Sequence, residues 1–116
     1  MAHYEDLEVD QGSNVRWRLK MLNSDGSRRD LTGYTGAGMV KKSHQDSAGE
    51  AIDLTVNFLV PRTDGIIEIS LDGTQTDSMD KRRYVYDLEI EKDDDGDAII
   101  ERILEGRIIV ARSVTR

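Results

Sequence analysis

The residues with the most evident chemical capacity are acids near the C-terminal third. Glu91, Asp93, Asp95, Gly96 and Asp97 would fill positions one, three, five, six and seven of an EF-hand calcium loop, where alternate oxygen donors wrap a hard cation. The glutamate that this pattern needs at position twelve is missing, because Arg102 stands there, and no helical pattern flanks the segment. The acidic run 93–97 is therefore expected to be a solvated hairpin tip. His3 and His44 lie far apart and have no cysteine or second histidine nearby, whereas zinc and non-haem iron sites need clustered donors. The serines lack a Gly-x-Ser-x-Gly elbow, a Ser-x-x-Lys element or a motif-borne histidine, which weakens nucleophilic catalysis. A glycosidase-type pair such as Glu68 with Glu89 is available by type, yet nothing in the spacing favours it. The expectation is a protein that is not an enzyme and carries no catalytic residue, metal or cofactor.

Two other residue sets could make a surface. Trp17, Tyr34, Tyr84 and Tyr86 could form a planar platform for a sugar, but Trp17, Tyr84 and Tyr86 fall on inward positions, so core packing is the better reading. Tyr34, in a glycine-rich stretch, is the one aromatic left for a ligand. The cationic stripe Arg16, Arg18, Lys20 and the pair Arg82-Arg83 contrast with the acidic turns. Together with Tyr34 they form the expected interaction surface, suited to copies of the same chain or to an acidic partner.

Composition narrows the classes. The chain has 116 residues, no cysteine, and 16 basic against 23 acidic side chains, for a net charge of −7. The missing cysteines remove disulfides, iron–sulfur centres and thiol nucleophiles. The negative balance is the wrong sign for a nucleic-acid surface. No run approaches the ~20 apolar residues of a membrane span. The N-terminal Met1 to Asp6 has neither a basic n-region nor an apolar h-region, so a soluble chain made in a cytoplasm is expected. One domain over residues 1–116, with a radius of gyration of about 13 Å, fits this length.

The elements that must carry these residues are strands. Val15, Trp17, Leu19 and Met21 alternate with Arg16, Arg18 and Lys20, a period of two with one apolar and one cationic face. Ile52, Leu54, Val56, Phe58 and Val60 form a second inward row, Ile67, Ile69 and Leu71 a third, and Tyr84, Tyr86, Leu88 and Ile90 a fourth. Turn signals separate them at Asn23-Ser24-Asp25-Gly26, Asp64-Gly65, Asp72-Gly73 and Asp94-Asp95-Gly96-Asp97. Pro61 closes the 52–60 strand. A strand is expected over Met39 to Ser43, where Met39 and Val40 compete for the inner face. Segment 74–81 reads as one helical turn that plugs the core with Met79. Residues 44–50 read as the most mobile loop. In the long last strand, Ala98 to Val114, Ile100, Leu104, Ile108, Val110 and Val114 share one parity that Arg102 and Gly106 interrupt. Gly106 reads as a bend or bulge where the strand changes sheet rather than as a mere weak spot in a strand.

Four stretches in order carry a resemblance: Asp30-Leu31-Thr32-Gly33-Tyr34-Thr35; Asp64-Gly65-Ile66-Ile67-Glu68-Ile69; Arg83-Tyr84-Val85-Tyr86-Asp87-Leu88-Glu89; and Arg102 to Ile108 with Val114-Thr115-Arg116. From about Val15 onward the chain resembles small tail-associated structural proteins of tailed bacteriophages. It is similar to the N-terminal β-sandwich domain of phage upper baseplate proteins and related tail-fibre modules. The resemblance implies a non-catalytic virion component, made in the bacterial host cytoplasm, that joins other tail proteins. Members of this kind often run on into a fibre or receptor-binding segment, whereas this sequence stops at Arg116, so a free-standing adaptor or decoration subunit is the expected form.

The fold expected is all-β, an Ig-like antiparallel sandwich of about seven to nine strands with at most one short helical turn. The function expected is assembly of a tail, baseplate or fibre attachment point, as a homo-oligomer in contact with other virion proteins. A carbohydrate-binding or adhesin-type sandwich is the alternative, with an exposed aromatic as its mark.

Overall fold

Alternation becomes strand wherever an apolar row has a facing row to meet. A computed structural model of the protein describes residues 3–43 and 51–112. Its strands are β1 His3–Tyr4, β2 Leu7–Asp10, β3 Val15–Lys20, β4 Tyr34–Lys41, β5 Ile52–Phe58, β6 Ile66–Leu71, β7 Arg83–Asp94 and β8 Asp97–Ala111. A 3-10 turn covers Arg62–Asp64, and one short helix, α1, covers Gly73–Asp77. The fold is all-β, and the eight strands among the described residues fall within the expected seven to nine. Residues 44–50 and 113–116, with the expected mobile loop, His44 and the Val114-Thr115-Arg116 motif, lie outside the described residues.

The strands follow one hydrogen-bonded path, β1-β8-β7-β4-β5-β6-β3, with β2 also on β8. An Ig-like sandwich pairs its two sheets separately; here β5 is common to both halves. Its Ile52–Leu54 pair with β4 and its Thr55–Phe58 pair with β6. The antiparallel expectation holds except at the N-terminus, where β1 and β2 run parallel to β8 and make the sheet mixed. Parallel pairing arises because the chain enters along β8 from outside the hairpins, with no tight turn joining the two.

Inner faces from both halves meet in one apolar cluster. Val40, Ile67, Ile69, Leu88, Ile90 and Ile108 are fully buried in it, with Tyr84 and Tyr86 at 3% exposure. Val40, not Met39, takes the inner position of β4. Two inward glycines on β4 let the sheet curl. A Cβ on Gly36 would lie 2.6 Å from Val56 Cγ1, and one on Gly38 would lie 2.8 Å from Leu54 Cδ1. β5 therefore crosses over β4 in the space that side chains would have filled.

Asp72 caps α1: its carboxylate accepts from the Gln75 N–H (2.8 Å), while Gln75 Oε1 accepts from the Asp72 N–H (2.9 Å). This reciprocal box starts a helix too short to persist alone. Just beyond it Met79, 1% exposed, enters the core as the expected plug.

Three expectations are corrected. The second inward row ends at Phe58; Val60 is 88% exposed, because the chain leaves the sheet there for the 3-10 turn. Gly106 is not a sheet-changing bend, since β8 stays paired with β7 on both sides of it. The irregularity is a bulge at Ile103: Leu104 faces Leu88 but Arg102 faces Glu89, so Ile103 is the extra residue and both it and Leu104 are buried. That bulge is what interrupts the parity at Arg102. The radius of gyration is 15.1 Å rather than about 13 Å, with a long axis of 47 Å. The twelve residues of β7 alone span about 40 Å at ~3.4 Å each, and every described side chain from Glu91 to Ile100 is exposed at the far end of the β7–β8 hairpin.

Candidate interaction surface

β3 ends the strand path, so one of its edges is open. Its pairing fixes what that edge presents. Met21 donates its N–H to the Gly65 carbonyl (2.7 Å), and alternation along an antiparallel ladder then turns Leu19, Trp17 and Val15 toward β6 as well. The bond from the Leu59 N–H to the Ile66 carbonyl (3.0 Å) gives the same phase from the far side of β6. Arg16, Arg18 and Lys20 therefore direct their backbone N–H and C=O groups to the open side. None of these groups has a hydrogen-bond partner among the described residues.

The same three residues carry the cationic stripe. Arg18 Nε lies 3.1 Å from Glu68 Oε2, and Arg16 Nε lies 4.0 Å from Glu68 Oε1. Both arginines share that one carboxylate, and Lys20 has no ion-pair partner among the described residues. On the inner face Val15, Trp17 and Leu19 are only half-buried. The edge thus combines unpaired rungs, excess positive charge and incompletely covered apolar rows.

The N-terminal segment makes a second open edge, which the sequence reading overlooked. Glu5 donates its N–H to the Glu105 carbonyl and Gln11 its N–H to the Ala111 carbonyl, both at 2.9 Å. Odd-numbered residues therefore face β8, while Asp6, Glu8 and Asp10 turn outward. Leu7 and Val9 are buried on the inner face. The Arg107 guanidinium and backbone N–H bond the Asp6 carboxylate (3.3 and 3.2 Å) and hold its pKa below the usual range. Glu8 and Asp10 make no side-chain bond among the described residues. The available signal was the short alternation Leu7-Glu8-Val9-Asp10.

Close approach pins this segment. Tyr86 donates its buried hydroxyl to the Glu5 carbonyl (2.7 Å), and burial pushes the phenol pKa upward. A Cβ on Gly106 would sit 1.9 Å from the same carbonyl oxygen. Gly106 exists to let the Glu5 backbone lie against β8. Between β1 and β3 runs a groove of about 410 Å³ bordered by His3, Glu5, Arg18, Met21 and Ile103.

The remaining candidates stand elsewhere. Tyr34 opens β4 and is half-buried; the Arg29 guanidinium carbon lies 5.3 Å and Lys92 Nζ 5.5 Å from its ring centroid. Its hydroxyl accepts from Arg29 Nη2 (3.0 Å), and Arg29 makes a bidentate pair with Glu101 (2.9 and 3.0 Å) that holds the glutamate's pKa down. Arg82 and Arg83 are exposed at the start of β7, where Arg83 pairs with Ile109. The expected surface is thus split: β3 carries a continuous row, and neither Tyr34 nor the Arg82-Arg83 pair lies on that ladder. Glu68 and Glu89 also lie apart, the first with Arg16 and Arg18, the second with Arg102 (3.9 Å). Asp95 and Gly96 take φ of 53° and 88° at the β7–β8 turn, the two positive values of a tight hairpin loop. No group of three or more potential metal-ligating side chains occurs among the described residues, and no helix there is long and apolar enough to cross a membrane.

No family model matches the chain, and no curated protein matches it. Among solved structures it is similar to the N-terminal domain of phage TP901-1 ORF48, with a TM-score of 0.53 and 12% identity over 94% of this chain and 97% of that one. It is also aligned with a DUF4785 family protein from Legionella pneumophila subsp. pneumophila str. Philadelphia 1, at a TM-score of 0.48 and 14% identity, over 93% of this chain and 26% of that one. The first likeness shows a shared fold.

Proposed function

We propose that this chain is a non-catalytic structural protein of a phage virion, a tail-, baseplate- or fibre-associated adaptor or assembly subunit that works through protein–protein contacts. The observation that carries this reading is the fold held in common, end to end, with the N-terminal domain of a phage protein. Physical support comes from the surface, because an open, charged strand edge suits docking by main-chain hydrogen bonds. Against a sugar platform stands Tyr34, whose ring and hydroxyl are already engaged by Arg29. Mass spectrometry of purified particles from the source of the sequence tests the proposal, with immunogold labelling to place the chain. Recovery of the chain in stoichiometric amounts, with label on the tail, is the expected result. Absence from washed particles overturns it.

A further inference from the structure

The two open edges match. Arg16, Arg18 and Lys20 on one, and Asp6, Glu8 and Asp10 on the other, have the same spacing of two and opposite sign. We propose that two copies of this chain associate by strand addition, the free edge of β3 in one copy receiving the Asp6–Asp10 edge of the other. This rests on the reading that the chain is an assembly subunit, and it names the surface and the partner. In antiparallel register Glu8 meets Arg18 and Asp10 meets Arg16, so two cations face carboxylates, while Asp6, opposite Lys20, keeps its own carboxylate on the Arg107 N–H and guanidinium. The inner-face rows then run on from Leu7 and Val9, buried in their own copy, to Leu19 and Trp17, which are only partly buried in a single copy. Both members of each pair also turn their backbone groups outward, with one exception: the Asp10 carbonyl already accepts from the Ser13 N–H (3.1 Å).

Within one copy the two edges leave each other unpaired, so a second copy is the partner available to both. β2 and β3 are joined by a turn, yet β2 pairs with β8 and β3 with β6. Contacts with α1 and its C-terminal flank hold that turn: Gln11 Nε2 donates to the Asp77 and Met79 carbonyls, and the Thr76 hydroxyl donates to the Ser13 carbonyl (2.8 Å). Pairing β3 with β3 of another copy would set cations against cations. Each copy carries both edges, so a two-fold dimer can satisfy them together.

Sedimentation equilibrium of the whole chain, at about 50 and about 500 mM NaCl, reads this directly. Concentration-dependent association that weakens with salt is expected. Arg18→Glu should weaken it about tenfold, and Glu8→Arg added to Arg18→Glu should restore it, because the 8–18 pair is then reversed in sign. Arg18→Pro should also weaken it, since it removes an N–H that faces the open side and leaves the ladder to β6 intact. Far-UV circular dichroism melts check folding, and Arg16→Glu with Asp10→Arg repeats the swap if the first pair fails to fold. A wild-type chain that stays monomeric at millimolar concentration, or association that ignores both swaps, overturns the proposal. If the chain is in virions but monomeric, this inference fails and the functional reading stands. If it associates as described but is absent from virions, the functional reading fails alone.

Discussion

Gly106→Ala adds a single methyl group and should be among the costliest conservative changes in the molecule. The new Cβ would lie 1.9 Å from the Glu5 oxygen, 2.7 Å from its carbonyl carbon and 3.2 Å from its nitrogen. These are backbone atoms, so no rotamer change relieves the contact, and the segment must retreat by at least about 1 Å. Overpacking of this kind costs ~1–3 kcal/mol. The retreat also strains the Tyr86 hydroxyl bond to that oxygen and the Glu5 bond to Glu105. A buried hydroxyl left unpaired adds ~1–3 kcal/mol. With partial relaxation the total should be about 3 kcal/mol, or a fall in Tm of roughly 10 °C for a chain of this size. Urea melts measure the first quantity and calorimetry the second. Hydrogen exchange should show the extra opening concentrated at Leu7 to Asp10 rather than in β6. Because both effects act through Glu5, Tyr86→Phe should cost less in the Gly106→Ala background than in the wild type, with coupling of about 1 kcal/mol. A Gly106→Ala protein within about 0.5 kcal/mol of wild type, or strictly additive variants, would refute the close-approach account.

Met79→Ala removes a side chain that is 1% exposed and seals the core beside α1; a loss of ~2–5 kcal/mol in a urea melt is expected. Gly36→Ala should destabilise by ~1–3 kcal/mol, because Val56 and Phe58 occupy the space above it, and Val56→Ala in the same chain should recover part of that loss. Acid should expose the Arg29–Glu101 pair. Glu101 has its pKa lowered in the fold, chiefly by its bond to Arg29, so its contribution is present above the unfolded value of about 4.3 and disappears as pH falls through the lower folded one. Tm followed from neutral pH to about pH 2 should therefore drop less steeply for Glu101→Gln than for wild type below about pH 5, and parallel curves would remove the pair from the acid limb.

Much of the fold was legible because a two-residue period survives in single-strand statistics. β3, β6 and β7 were readable from Trp17, Ile69 and Tyr86 with their neighbours, since each has one wet face and one dry face. The hairpin tip at Asp95-Gly96 and the capped turn before Met79 were readable from local backbone chemistry. What failed was non-local. Gly106 read as a bend or bulge, and only the position of Glu5 shows that close approach is what the glycine serves. The bulge at Ile103 was hidden because Ile103 and Leu104 are adjacent and both apolar, so either could be taken for the inward residue. Met39 and Val40 could not be ordered because the inward glycines of β4 carry no hydropathy signal. For the surface, the cationic row was visible on its own strand, but its acidic counterpart lay in four residues too short to register as an alternation.

The curl and the open edges have a common origin. β5 can serve both halves only because Gly36 and Gly38 let it cross β4 closely, and a sheet that bends at one shared strand ends in two free margins instead of closing. Free margins are a hazard for any β protein, and like charges along an edge are the usual protection against indiscriminate pairing. Here the two margins carry opposite signs. Each repels its own kind and is complementary to the other, so the arrangement resists self-pairing of like edges while leaving one specific pairing open. Spacing alone does not select the pairing, because side-chain face and backbone direction both recur every two residues in any strand; the opposite sign of the two rows does.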